Sequence, residues 1–137
     1  MTATFQQARD QICAVFKAAW DPRPVVWDDV PSEKPTGVPV WARFTIKHAL
    51  GQQASLANAS GVSRYRRQGL IIAQIFTPCG EGLSQAYTSA KVVTDAFEGT
   101  TTAGGVWFRN VGPREVGPDG DWYQTNVLIE FEYDEVK

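Results

Sequence analysis

The stretch from Arg64 to Pro78 places the strongest constraint on the fold, because its chemistry changes along its length. It begins with three arginines around one tyrosine, becomes apolar from Leu70 to Ala73, and ends at a proline followed by Cys-Gly-Glu-Gly. Isoleucine recurs through its middle, and β-branched residues favour the pleated backbone of a sheet. The stretch therefore predicts one long strand near the middle of a sheet.

The length of this strand raises a problem of size. Residues Tyr65 to Thr77 would span about 43 Å at 3.3 Å per residue. A compact chain of this length has a diameter of roughly 37 Å. The sequence therefore predicts that the strand bends, with Gly69 as the place for a bend, or that its basic end projects from the body.

A polar segment of small residues, Gly51–Ser63, separates the long strand from an alternating strand at Val40–Ala49. Loops of this length without a pattern of their own are usually functional. We expect the two strands to form a long hairpin around residues 45–68, with the polar loop at its tip as an arm for a neighbouring subunit.

Two other segments follow the helical period of apolar residues, 4–20 and 81–98. Asp21-Pro22 ends the first, because a residue before proline avoids the helical region. Gly99 lies where a left-handed cap would end the second. The predicted apolar stripes are Phe5, Ala8, Ile12, Val15, Phe16 and Ala19 in the first helix, and Leu83, Ala86, Tyr87, Ala90, Val93 and Phe97 in the second.

The remaining strands are a short one that begins at Pro24, one at Gly105–Val111 and a cleanly alternating one at Asp121–Tyr133. Gly117-Pro-Asp-Gly predicts a turn before the last strand. The order is helix-strand-strand-strand-helix-strand-strand. It predicts an α+β fold with about five mostly antiparallel strands and both helices on one sheet face, in a single domain over residues 1–137.

Apolar residues are expected on both faces of this sheet. If the helices cover Ile71, Ala73 and Ile75, the opposite face still carries Leu70 and Ile72, with Phe76 and Leu128 beside them. Such residues on a nominally solvated face often mark an interface between subunits. The alternative is a second face that is partly covered within one monomer.

Charge and composition exclude several classes of protein. The net charge is −2 and the pI is about 5.3, which gives no electrostatic case for binding nucleic acid or anionic membranes. No apolar run approaches the roughly 20 residues that span a bilayer. The first residues lack the pattern of a secretory signal. Two cysteines are too few for a disulfide scaffold. We expect a cytosolic globular protein without a cofactor.

Catalytic signals are weak. Cys79 precedes a helix, where a thiol can become nucleophilic, so a small thiol enzyme is one alternative. His48 is the only histidine, and nothing in the sequence places it near Cys79. The other interpretation of Cys79 is a small residue at a tight junction. Glu130 and Glu132 share a strand face, which suits either a hard cation or, far more commonly, solvent.

The arginines at the start of the long strand have two interpretations. Arg64, Arg66 and Arg67 could contact a nucleic-acid backbone. On a chain of net negative charge, arginines more often pair with acids, within the chain or on a neighbour. We favour the second interpretation.

The order and spacing of several short motifs resemble a family of tailed-phage and prophage minor tail proteins of the tail terminator, or tail-completion, type. Gene transfer agents carry similar proteins. The resemblance runs from about residue 8 to 135. The motifs are Trp27-Asp-Asp-Val-Pro, Lys34-Pro-Thr-Gly, Trp41-Ala-Arg, Arg64-Tyr-Arg-Arg-x-Gly, Ile75-Phe-Thr-Pro-x-Gly-Glu-Gly, Gly117-Pro-Asp-Gly-x-Trp-Tyr-Gln and Phe131-Glu-Tyr.

The resemblance implies a structural virion protein, not an enzyme, assembled in the host cytoplasm. Such proteins form a hexameric ring that caps the tail-tube protein and meets the head-connector protein, while DNA passes through without specific binding. Another head–tail connector or a tube-like subunit is the alternative. The predicted subunit-interface residues are Leu56, Arg64, Arg66, Arg67, Leu70 and Ile72, and the predicted lumen residues are Glu130 and Glu132.

Overall fold

A computed structural model of the protein describes residues 2–31, 35, 37–49, 51–53 and 62–137. Within these residues two helices and five strands follow the predicted order, and a sixth strand of two residues is additional. The predicted Leu56 contact lies outside the described residues. The elements are α1 (Phe5–Trp20), β1 (Val25–Trp27), β2 (Trp41–His48), β3 (Gln52–Gln53), β4 (Arg64–Pro78), α2 (Ser84–Phe97), β5 (Trp107–Asp119) and β6 (Trp122–Val136).

Helix α1 begins at a capping box, in which Thr4 and Gln7 satisfy each other's backbone N–H groups. Its buried side is formed by Ala8, Ile12, Phe16 and Trp20. Trp20 therefore belongs to the buried stripe, and its indole Nε1 donates to the Pro24 carbonyl at 2.9 Å. Phe5, which the periodicity places in the stripe, is 56% exposed because it lies beyond the core, over the end of β4.

The strands pair in the order β1-β2-β4-β6-β5, and β3 adds to β4. All pairs are antiparallel except β1 with β2. The long strand is central, as predicted: all 15 residues of β4 pair with β6. Strand β2 pairs with the C-terminal part of β4, from Trp41 opposite Phe76 to His48 opposite Gly69. The described chain has the predicted α+β architecture.

Both helices lie on one face of the sheet and share its core. Phe44 of β2 stacks on Phe16 of α1 at 4.3 Å between ring centroids and lies 6.4 Å from Phe97 of α2. The inward residues of β4 and β6 that the alternation predicts are fully buried here, among them Ile71, Ile75 and Ile129. We call this side of the sheet the helix face and the other side the open face.

The basic end of β4 is held within the sheet. β3 pairs with it on one side, where Gln53 lies opposite Tyr65, and β6 pairs with it on the other. The backbones of Ser63 and Lys137 then exchange two further hydrogen bonds. The hairpin of β2 and β4 is confirmed in its paired part, whereas the loop at 54–61 lies outside the described residues.

Strand β5 is longer than the predicted segment at Gly105–Val111 and runs to Asp119. Its glycine–proline pairs, Gly112-Pro113 and Gly117-Pro118, do not end it, because the register with β6 shifts at both places. Asn110, in the first shift, has φ +52°, the left-handed region in which asparagine is tolerated. Strand β5 forms one edge of the sheet, and its two prolines carry no N–H.

Gly69 of β4 lies between His48 of β2 and Phe131 of β6, at a point without room for a side chain. A Cβ at this position would lie 2.2 Å from the Lys47 carbonyl oxygen and 2.6 Å from Cζ of Phe131. Phe131 is directly opposite Gly69 in the ladder, and its ring covers the glycine. The absence of a side chain therefore permits close packing at this point.

We expect Gly69→Ala to lower the free energy of unfolding by about 2 kcal/mol or more, since the carbonyl and the ring must both move. Gly112→Ala is the matched control, because a Cβ there meets nothing within 4 Å. The control should change stability by less than about 1 kcal/mol. Urea denaturation of both variants measures the two values, and equal values would contradict the packing role of Gly69.

Candidate assembly surface

The open face of the sheet carries every second residue of β4 and β6, and the described helices lie on the other side. Leu70 pairs with Glu130, and Ile72 pairs with Leu128. Leu70, Ile72 and Leu128 form a contiguous apolar strip, and each is half-buried. Ala73 and Ile129, which follow Ile72 and Leu128 along their strands, are fully buried on the helix face. The strip is thus an apolar part of the sheet that the monomer covers only partly.

A depression of about 520 Å³ lies beside the strip. Leu70 forms part of its wall, and Lys47, Arg109 and Glu130 surround it with charge. Apolar residues bordered by charged ones are common at surfaces that receive a protein partner.

A charge network adjoins the strip toward the basic end of β4. Asp134 accepts ion pairs from Arg64 at 3.6 Å and from Arg66 at 3.3 Å. Arg66 also lies 4.0 Å from Glu132, which contacts Arg109 at 3.7 Å. Arg109 reaches Glu130 at 3.8 Å. Three arginines and three carboxylates thus alternate across β4, β6 and β5.

The structure therefore places the predicted interface arginines beside acids of the same chain. Arg64 and Arg66 lie on the open face, within the network. Arg67 lies on the helix face, where it donates to Glu135 at 3.1 Å. Each of the three arginines therefore has an acidic partner within the chain, which is the interpretation that we favoured over a nucleic-acid contact.

The two predicted lumen carboxylates, Glu130 and Glu132, differ in their solvent exposure. The side chain of Glu130 is 43% exposed and also accepts from Asn110. The side chain of Glu132 is only 11% exposed, between Arg66 and Arg109. The register sets Glu130 directly beside Leu70, so the lumen and interface predictions fall on adjoining parts of one surface.

An aromatic cluster occupies the opposite end of the open face. Trp41 stacks on Phe76 at 4.2 Å between centroids and meets Trp122 edge-on at 6.1 Å. Arg43 lies 5.9 Å above both Trp41 and Phe76. Sequence reasoning did not identify this cluster, although positions 41 and 76 alternate onto the same face of their strands. The three rings pack against one another at this end of the face.

The corner at Arg67 also contains the chain's only histidine. The Arg67 guanidinium lies 5.0 Å from the Phe5 ring. His48 Nε2 is 2.7 Å from the Tyr133 hydroxyl. Burial raises the pKa of Tyr133 to about 12, so this hydroxyl keeps its proton and can donate to a neutral imidazole. Burial, together with the nearby Arg67 charge, lowers the pKa of His48 below its ordinary value of 6.5.

The residues considered for thiol chemistry are far apart. His48 pairs with Gly69, whereas Cys79 follows the far end of β4, ten residues on and therefore about 33 Å away. Cys79 is exposed, and Cys13 is half-buried in α1. Burial raises the pKa of the Cys13 thiol, which disfavours its reactive thiolate. The structure brings no histidine to Cys79.

The part of the chain that the structure describes gives no support to a site for a hard cation. It contains no group of three or more His, Cys, Asp or Glu side chains placed to hold a metal ion. It also contains no helix long and apolar enough to cross a membrane.

Comparisons with known proteins find one matching family model and solved structures that are similar to this chain. A family model described as phage tail terminator protein matches residues 5–131. One solved structure is 18% identical, covers 91% of this chain and 94% of its own, and superposes with a TM-score of 0.63. A chain in a virion of a native gene transfer agent particle is 19% identical, covers 92% of this chain and 90% of its own, and has a TM-score of 0.48. No curated protein matches at a significant level.

The lowered pKa of His48 predicts a pH dependence. Because the unfolded chain binds a proton at higher pH than the native histidine, the contribution of neutral His48 is complete above about pH 6.5 and declines as the pH falls through the lowered native pKa. The stability advantage of the wild type over His48→Gln should therefore be larger at pH 7.5 than at pH 5.5. Urea denaturation at both pH values measures it, and an NMR titration midpoint for His48 above 6.5 would refute the assignment.

Proposed function

The chain belongs to the phage tail terminator family, and on that premise we propose that it forms a closed ring that ends the tail tube and joins it to the head connector. The family assignment makes the protein a structural component of the virion tail. The observation that carries the proposal is the match of the family model over residues 5–131. The half-buried apolar strip on the open face supports it.

A ring requires each subunit to present two different surfaces to its neighbours, because only a heterologous contact can close around an axis of more than two-fold symmetry. We propose that Leu70 and Ile72, with Leu128, form the centre of one such surface. Arg64 and Arg66 lie at its polar edge. Leu56, outside the described residues, remains a proposed contact of this interface, and Arg67 remains a proposed subunit contact on the helix face.

The charge network suits a ring through which DNA must pass. Its arginines are already paired with Asp134, Glu132 and Glu130, so they attract phosphates weakly. We propose that Glu130 and Glu132 lie at the inner rim, where the apolar contact gives way to the lumen. Glu130 is the more exposed of the two and would carry most of the repulsion toward DNA.

The proposed partners are further copies of this chain, in a hexamer, the tail-tube protein on one side of the ring and the head-connector protein on the other. We propose that each copy contributes one domain over residues 1–137. The single buried cluster that joins both helices to the sheet supports that division.

Electron microscopy of purified tail tubes incubated with the protein tests the proposal directly. A terminator should add one ring of density to one tube end and prevent further addition of tube protein. A connector of another type would bind purified heads and leave tube ends unchanged. A protein that remains monomeric at high concentration and caps no tubes would refute the ring proposal.

We expect Leu70→Asp combined with Ile72→Asp to weaken assembly at least about tenfold, because two charges would be buried at the centre of the contact. Both side chains are half-buried in the monomer, so the unfolding midpoint must be measured alongside assembly to separate a loss of stability from a loss of contact. Val30→Asp, at a residue that is 51% exposed and outside the sheet, is the control. Mass photometry and circular dichroism measure assembly and folding. Unimpaired assembly of the double variant would exclude the strip from the interface.

A further inference from the structure

A row of four polar side chains crosses the open face between the apolar strip and the aromatic cluster. The register sets Arg43 of β2 opposite Gln74, Gln74 opposite Asn126, and Asn126 opposite Arg114 of β5. Neighbouring strands are about 4.8 Å apart, so the Cα atoms of the two arginines are separated by about 14 Å. We call these four residues the arginine row.

The arginines of this row differ from the other arginines of the face. Arg64, Arg66 and Arg109 all pair with carboxylates. Arg43 and Arg114 form no ion pair with any residue that the structure describes. Lys47 also forms no ion pair with a described residue, since Glu130, two strands away in its row, is paired with Arg109. The arginine row thus holds two of the uncompensated positive charges of the open face, and it is the place where two of them share one row.

The hydrogen-bond donors of the arginine row are also arranged to bind a partner. Arg43 lies over the rings of Trp41 and Phe76, and these contacts restrict its guanidinium. Gln124 donates to the Asn126 Oδ1 atom at 2.9 Å, so the Asn126 amide hydrogens remain for a partner. Two guanidinium groups with amides between them form a set of hydrogen-bond donors that matches carboxylates.

The same chain offers carboxylates that are likewise unpaired. Asp119 and Asp121 flank the turn between β5 and β6, both are exposed, and neither forms an ion pair with a described residue. The Cys79 N–H donates to the Asp121 carbonyl, which brings the turn that contains exposed Glu81 to the same end of the sheet. We call the segment Asp119–Asp121 the acidic turn.

We propose that the acidic turn of one copy docks on the arginine row of the next. The two patches are five residues apart on β6, about 17 Å, which is too far for them to pair within one chain. One patch lies on the face of the sheet and the other at its end, so their contact is heterologous, as a ring requires. This inference rests on the proposed ring and identifies one of its contacts.

Charge reversal in separate chains tests the contact. Arg43→Glu with Arg114→Glu makes the row acidic, and Asp119→Arg with Asp121→Arg makes the turn basic. Each double variant alone should assemble at least about tenfold less well than the wild type, because like charges then meet. An equimolar mixture should assemble again, since both contacts of an alternating ring are then complementary. All of the changed side chains are at least partly exposed.

Lys17→Glu in α1 and Glu98→Arg, at the residue that follows α2, are the controls for charge reversal as such, because both side chains are exposed. Mass photometry of each variant and of the mixture, at low and at physiological salt, gives the assembled fraction. Recovery in the mixture only, with unaffected controls, supports the inference.

Two outcomes would overturn the inference while leaving the proposed function in place: rings from either double variant alone, or a wild type that assembles and a mixture that does not. A wild type that neither assembles nor caps tubes would refute the proposed function and the inference together. Binding of a DNA oligonucleotide that is lost only in Arg43→Glu with Arg114→Glu, with assembly unchanged, would assign the row to nucleic acid instead.

Discussion

The antiparallel ladder between β4 and β6 runs from Arg64 opposite Val136 to Pro78 opposite Trp122. Because successive side chains of a strand point to opposite faces, its register decides which apolar residues enter the core. A slip by one residue would exchange buried Ile71 for half-buried Leu70. The same register sets Arg64 and Arg66 beside Asp134 and Glu132, which form the β4 part of the charge network. Core, apolar strip and charge network therefore depend on one pairing.

The helices, the long strand and the α+β class follow from the sequence because their signals are local: apolar periodicity, a proline after Asp21, alternation along β6. Strand β5 was underestimated because Gly112-Pro113 and Gly117-Pro118 are typical of turns, whereas the sheet accommodates them through shifts in register. The aromatic cluster and the arginine row escape local reasoning for a different reason. Each joins residues from strands far apart in sequence, so it exists only once the register is known.

The open face shows why residue type alone identifies function poorly. Arg64 and Arg43 are both arginines on the same face, yet one is neutralised by Asp134 and the other lies over aromatic rings without an acid. The carboxylate beside Arg64 lowers the positive potential that a partner meets there, whereas no carboxylate lies beside Arg43. An arginine without an acid beside it favours partners that present a carboxylate. The alternation along β4 was enough to predict Leu70 and Ile72 as interface residues. The difference between Arg64 and Arg43 could be recognised only once the structure showed which residues lie across the sheet from each of them.

Strand β5 has a further consequence for how copies of the chain can associate. An outer strand normally offers a ladder that an incoming strand can extend, which leads to open-ended growth. Here Pro113 and Pro118 remove donors, and two irregularities break the spacing of those that remain. Copies are thereby discouraged from joining edge to edge into a continuous sheet. A subunit whose proposed task is to end a polymer thus has an outer strand ill-suited to starting another.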